Sequence, residues 1–113
     1  MAEFVRATML TWLLAHGYQG YQAEAMIRSA GVETTWRPCA VGRSGNFLFQ
    51  WRGTRLVSLR RFARTWACPA LETQLAFADI ELRTDPAYRA FWSTTPQTAY
   101  ATFRHVFERC RRC

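Results

Sequence analysis

Of the eight carboxylates in this 113-residue chain, Glu33 has the setting that best suits acid catalysis. Ala23, Met26, Ile27 and Ala30 recur at intervals of three and four, the apolar stripe of a helix. Glu33 is the next step on that stripe, so the helix points a carboxyl inward near its C-terminal end. Burial penalises the ionised form, and the negative end of the helix dipole penalises it again. A carboxyl that keeps its proton near neutral pH can act as a general acid. The other reading of the same pattern is a buried glutamate paired with an arginine, such as Arg37 or Arg52. Spacing alone leaves both open.

Further along, Gln74, Phe77 and Glu81 stand at offsets of three and seven and share one helix face. Glu81 is therefore a candidate second carboxylate; the alternative is an ion pair with an arginine of the preceding helix. His16 and His105 lie on separate helices without ligand-like spacing, so no metal site and no cofactor are expected. Cys39, Cys68, Cys110 and Cys113 allow three full pairings, which sequence does not choose between. The terminal Cys110-Arg111-Arg112-Cys113 follows no strand, and is neither a convincing redox motif nor half of a zinc site.

These residues must be held by helices. Residues 2–16 carry Val5, Met9, Trp12, Leu13 and His16 on one face, with Gly17 as a stop. A second helix begins near Gln22 and closes at Pro38. Between Cys39 and Gly53 lies an irregular segment rich in glycine, the place for a loop or a small β-hairpin. A third helix over residues 54–66 turns Leu56, Leu59, Phe62, Ala63 and Trp66 inward. Pro69 opens a fourth, ending near Arg83, with Leu71, Leu75, Ala78 and Leu82 inside. Asp85-Pro86 opens a short helix bearing Tyr88, Phe91 and Trp92. Thr95-Pro96 opens the last, with Ala99, Phe103, Val106, Phe107 and Cys110 inside. About six helices and one irregular segment predict a mainly-α single domain over residues 1–113. Met9 to Ala15 reads as first helix rather than as a signal peptide, since it follows Glu3 rather than a basic region, lacks a clear small-residue cleavage site and runs into His16-Gly17. No stretch is long enough to span a membrane.

Half the residues are apolar and 15% aromatic, a globular composition. The net charge is +7, and all fifteen cations are arginine. The missing lysines, with one asparagine and two isoleucines, fit a GC-rich coding sequence. A basic surface attracts polyanions: nucleic acid, anionic lipid, or the acidic polymers of a bacterial envelope. The clusters Arg60, Arg61, Arg64 and Arg109, Arg111, Arg112 are a solvated face that could also rest on such polymers. The arginines are spread over most helices and do not line one recognition helix, which counts against nucleic acid as the partner.

The order of motifs resembles the phage-tail-type lysozyme family, within the wider lysozyme and lytic transglycosylase group. The resemblance rests on Gly31-Val32-Glu33-Thr34-Thr35-Trp36-Arg37-Pro38, then Phe49-Gln50-Trp51-Arg52-Gly53, then Gln74-Leu75-Ala76-Phe77 with Glu81-Leu82, and Thr94-Thr95-Pro96 before Phe103 and Phe107. It implies a lysozyme-like helical fold and cleavage of the β-1,4 bond between N-acetylmuramic acid and N-acetylglucosamine in peptidoglycan. Glu33 matches the family's catalytic glutamate and Gln50 its cleft glutamine. The substrate-contacting set expected from this likeness is Gln50 with Ser44, Phe47, Gln74 and Glu81. Trp51 is expected in the core. Without a second carboxylate, the chemistry would be that of a lytic transglycosylase, one glutamate acting as acid and then as base.

Two departures matter. Thr34 replaces the usual serine but keeps its hydroxyl. Asn46-Phe47-Leu48 replaces a Tyr-Gly-Leu, so Phe47 stands where glycine lets backbone lie close to sugar. Phe47 could narrow the cleft or mark a relative that binds wall without cutting it. The implied partner is peptidoglycan met by a monomer in the periplasm or outside the cell, with nucleic-acid binding the remaining alternative.

Overall fold

The computed structural model describes residues 1–109. In chain order it contains α1 (Ala2–Ala15), α2 (Gly20–Thr34), β1 (Val41–Gly42), β2 (Gly45–Asn46), α3 (Gly53–Ala63), α4 (Leu71–Thr84), a 3₁₀ helix (Pro86–Ser93) and α5 (Ala99–Val106). The two strands pair antiparallel, Val41 opposite Asn46 and Gly42 opposite Gly45. The architecture is mainly α, as the helical periodicities predict. Cys110 and the Cys110–Cys113 motif, with Arg111 and Arg112, lie outside the described residues.

The apolar stripes are where the spacing puts them, with instructive exceptions. Val5, Met9 and Leu13 of α1 are buried. His16 instead caps the helix at the surface, its Nδ1 2.7 Å from the Trp12 carbonyl oxygen and its ring stacked on Trp12 at 3.6 Å. Helix α2 begins earlier than expected, at Gly20. Gln19 and Gln22 close a reciprocal capping box, with the Gln19 N–H donating to Gln22 Oε1 at 2.8 Å. Glutamine is a poor cap by reputation, which is why this start is hard to see in sequence.

Helix α3 is shorter than its periodicity suggests, ending at Ala63 with Arg64 left-handed at φ 56°. Only Leu59 of α3 is fully buried. Phe62 is exposed, touching Phe77 with ring centroids 5.6 Å apart. Trp66, expected inside, is 75% exposed beneath the Arg60 guanidinium. With arginines on both flanks, this helix lays one narrow face on α4 and leaves the rest in water. Proline opens the next two elements unequally. Pro69 is buried one residue ahead of the α4 cap Ala70, whereas Pro86 begins the 3₁₀ helix directly. There the Asp85 carboxylate accepts from the Ala87 N–H at 2.9 Å.

The core is aromatic. Phe49, Trp51, Tyr88, Phe91, Phe103 and Phe107 are all buried. Their neighbouring ring centroids stand 4.9–5.9 Å apart, mostly edge to face, the geometry the ring quadrupoles favour. Trp51 is fully buried, as expected. Helices α2 and α5 pack directly across this core, and α1 lies against α2 and α4. No helix is long and apolar enough to cross a membrane, among the described residues.

Cys39 and Cys68 form a disulfide across 29 residues of sequence, tying the approach to β1 to the α3–α4 connection. Closing a loop of that length stabilises the fold by about 3–4 kcal/mol through lost chain entropy. The double variant Cys39→Ala/Cys68→Ala should lose about that much unfolding free energy in urea titration, and an unchanged midpoint would show the cross-link to be dispensable.

Candidate functional site

Glu33 sits in the last turn of α2, and the local sequence makes that end of the helix an open one. The Thr34 hydroxyl donates back to the Ala30 carbonyl at 2.6 Å, so it braces the helix and is itself buried. Thr35 and Trp36 then both adopt the left-handed region at φ 54°. This backbone is costly for residues with a Cβ, and Trp36 offsets the cost. Its indole folds back across Gly31, where a Cβ would lie 2.3 Å from the ring, and its Nε1–H donates to the Ile27 carbonyl at 2.9 Å. Only glycine at position 31 admits that approach. The chain therefore reverses immediately after Glu33 and lays the hairpin across the helix end.

Gly45 and Gln50 shape the other wall. Gly45 has φ 150°, and a Cβ there would meet the Gln50 carbonyl oxygen at 2.3 Å. Asn46 and Trp51 exchange backbone hydrogen bonds at 2.8 and 2.9 Å, fixing the loop between them. The result is a groove of about 160 Å³ lined by Glu33, Arg37, Gly42, Arg43, Ser44 and Gln50, among others. Glu33 is the one carboxylate among the described residues that line it.

The expected site residues thus divide. Ser44 and Gln50 come to the groove with Glu33, whereas Phe47, Gln74 and Glu81 are held elsewhere. Phe47 is left-handed at φ 68° and 3% exposed, so its ring joins the core and does not narrow the groove. Gln74 is completely buried. Its Oε1 accepts from the Leu48 N–H at 3.0 Å, and its Nε2 donates to the Pro38 and Pro69 carbonyls, both at 2.9 Å. One amide thereby fastens α4 to both chain segments that flank the disulfide.

Glu81 takes a bidentate pair from Arg55 of α3, Nε to Oε2 at 2.8 Å and Nη2 to Oε1 at 2.9 Å. Trp51 Nε1 donates to the same Oε1 at 2.8 Å. Burial alone would depress the Arg55 pKa, but the hydrogen bonds and charge of Glu81 outweigh it and hold the guanidinium above its ordinary value. This is the ion pair to the preceding helix that the sequence offered as the alternative for Glu81.

Glu33 is itself paired, though with neither Arg37 nor Arg52. Arg104 Nη2, from α5, donates to Glu33 Oε1 at 2.5 Å. The guanidinium side chain is 6% exposed and the carboxylate 24% exposed. Catalytic acid and ion-pair partner are therefore not exclusive descriptions: one oxygen is held from the core while the side chain borders the groove.

Behind this pair stands Glu108, which the helical stripes do not pick out. The Ser29 hydroxyl donates to Glu108 Oε1 at 2.6 Å, while Oε2 is buried without a hydrogen-bond partner among the described residues. Burial pushes the Glu108 carboxyl up to about 7. Ser29 and Arg104 pull against that, and the Glu33 charge adds to it. The signal in the sequence was Arg104 and Glu108 four residues apart, opposite charges flanking the apolar stripe of the last helix. Among the described residues no three His, Cys, Asp or Glu side chains cluster as metal ligands would.

Two outcomes are expected from this arrangement. The Glu81→Ala change strands a buried guanidinium and the Trp51 N–H, so urea unfolding should show a loss of about 3–5 kcal/mol. A loss under 1 kcal/mol would mean Arg55 finds water instead. For Glu108, the unfolded chain releases its proton near the ordinary 4.5, whereas the folded protein keeps it to about 7. The folded state therefore binds the extra proton between those values, and stability declines as pH rises through that window. Glu108→Gln should remove that decline; an identical pH–stability curve in parent and variant would contradict it.

The sequence pattern of the phage tail lysozyme family matches residues 5–113. No curated protein and no solved structure matches the chain. With that match running over nearly its whole length, from α1 through the groove to the end, the chain belongs to the phage tail lysozyme family, a family of lysozyme-like, peptidoglycan-degrading proteins.

Proposed function

We propose that the protein cleaves the β-1,4 bond between N-acetylmuramic acid and N-acetylglucosamine in bacterial cell wall, with Glu33 as the general acid. The observation that carries this reading is the meeting of Glu33, Ser44 and Gln50 on one groove between α2 and the hairpin. Glu33 protonates the glycosidic oxygen as positive charge develops on the sugar ring. Arg104 fixes the orientation of the carboxyl by holding Oε1. Gln50 and Ser44 offer amide and hydroxyl groups to the sugar substituents. Since the described groove lining contains one carboxylate, the same glutamate serves next as base, which favours the lytic transglycosylase type of reaction.

The setting agrees with wall outside the cytoplasm, where the Cys39–Cys68 bond is stable. The arginines support wall over nucleic acid. Arg6, Arg28, Arg60 and Arg83 lie against aromatic rings on separate elements, Arg55 and Arg104 on partly buried carboxylates, and no one helix collects them. The groove is built from one chain, so a monomer suffices.

One feature favours a second reading, a wall-binding protein that does not cut: Glu33 already has a partner, its Oε1 being held by the Arg104 guanidinium. A peptidoglycan zymogram with parent and Glu33→Gln separates the two. The parent should clear, and the variant should lose at least about 100-fold, the usual contribution of a general acid. Equal clearing by both sinks the role of Glu33. Firm retention on wall without clearing by either selects the non-cutting reading. Mass spectrometry of the fragments should find anhydro-muramyl ends; reducing ends alone would establish hydrolysis in place of the intramolecular route.

A further inference from the structure

We infer that Arg37 and the apolar cavity beside it form a subsite for the peptide stem of peptidoglycan, with a stem carboxylate seated on the guanidinium. The inference rests on peptidoglycan being the substrate. It adds the part of that substrate which the groove alone does not hold.

Arg37 and Arg43 line the groove together with Glu33. Neither takes Glu33, whose Oε1 is held by Arg104 from α5. Arg37 Nε donates to the Thr34 carbonyl at 3.1 Å, which fixes the side chain at the end of α2. Its Nη groups, like the whole of Arg43, have no carboxylate partner among the described residues. The groove therefore presents more positive charge than negative. A neutral glycan backbone gives those cations nothing to neutralise. In peptidoglycan the carboxylates belong to the short peptide joined by an amide to the lactyl group of N-acetylmuramic acid. A guanidinium whose terminal N–H groups are free is suited to take such a carboxylate in a bidentate pair.

Arg37 and Ala40 also line a second, larger cavity of about 450 Å³. Phe4 and Val5 of α1, Pro38 and Leu71 are among its apolar walls, and Phe4 is left 68% exposed. Its volume is that of a pocket for a small ligand. Because Arg37 and Ala40 belong to both, the cavity adjoins the groove and is no remote face. A peptide branching from a sugar in the groove passes Arg37 on its way into the cavity. The methyl groups of its alanines cover the apolar wall, and its carboxylates meet the guanidinium at the rim. A wholly apolar ligand leaves Arg37 unpaired, and a simple polyanion leaves Phe4 and Leu71 uncovered. Only a chain carrying both methyl groups and carboxylates uses the two together.

The test has a binding arm and a turnover arm. The binding arm uses calorimetry and NMR and needs no activity. A disaccharide-peptide monomer should bind about tenfold tighter than the same disaccharide with its lactyl group capped as a simple amide, the effect of one charge-assisted pair. The added NMR shifts should fall at Phe4, Val5 and Leu71. Amidating the stem carboxylates, or Arg37→Ala, should erase most of the difference. The turnover arm reads the ratio of kcat/KM on soluble glycan strands with peptide to that on strands without it, lactyl groups amidated. Arg37→Ala should lower that ratio about tenfold, and Arg37→Lys should restore part of it. Leu71→Glu, which sets a competing carboxylate in the cavity, should lower it too, and carries this arm if Arg37→Ala loosens the end of α2. Equal binding of the two ligands, an equal loss on both substrates, or a second copy seated in the cavity that the peptide does not displace overturns the inference and leaves Glu33 as the acid. A parent that clears no wall defeats the cleavage reading instead, and the binding arm still decides the subsite.

Discussion

A buried guanidinium cannot stand without a carboxylate, and in this protein that constraint sits at the centre of the fold. Arg104 reaches from α5 to the end of α2, and Glu33 meets it there. An ion pair so deep costs much of its attraction in lost hydration, and a hydrophobic pair of the same size would serve stability as well. What it supplies is position. One carboxylate oxygen is pinned to the two helices that pack directly across the core, and the side chain is presented at the edge of the groove.

The groove exists because the chain turns sharply at that point. Two consecutive left-handed residues follow Thr34, held by an indole lying on a helix glycine. Had α2 continued one more turn, Glu33 would be a mid-helix residue facing a neighbour. The reversal leaves the helix end open and brings Arg37, Ser44 and Gln50 around it. The disulfide and the Gln74 amide pin the same region from beneath, through Cys39, Pro38, Leu48 and Pro69.

Polar residues thus serve two purposes that look alike in the chain. Glu81 and Glu33 both follow apolar stripes, and both are paired with arginine. Glu81 accepts three hydrogen bonds from Arg55 and Trp51 and is closed off by them. Glu33 is held on one oxygen by Arg104 and borders open space. The difference between a scaffold glutamate and a candidate acid is the open groove beside it.

Apolar spacing, proline and glycine placement, and the aromatic content determined the mainly-α architecture, because they act over a few residues and need no distant partner. The same local rules put Glu33 at a helix end and located the hairpin between Cys39 and Gly53. They overreached at α3, where Phe62 and Trp66 keep the helical period but the helix stops short and its arginines hold that face in water. Which side of the loop Phe47 would face, which cysteine Cys39 would meet, and which arginine Glu33 would take were decided by tertiary structure. Each depends on residues about 30 to 70 positions apart being brought together, and a charge or a ring carries no mark in the sequence of which distant partner will reach it first.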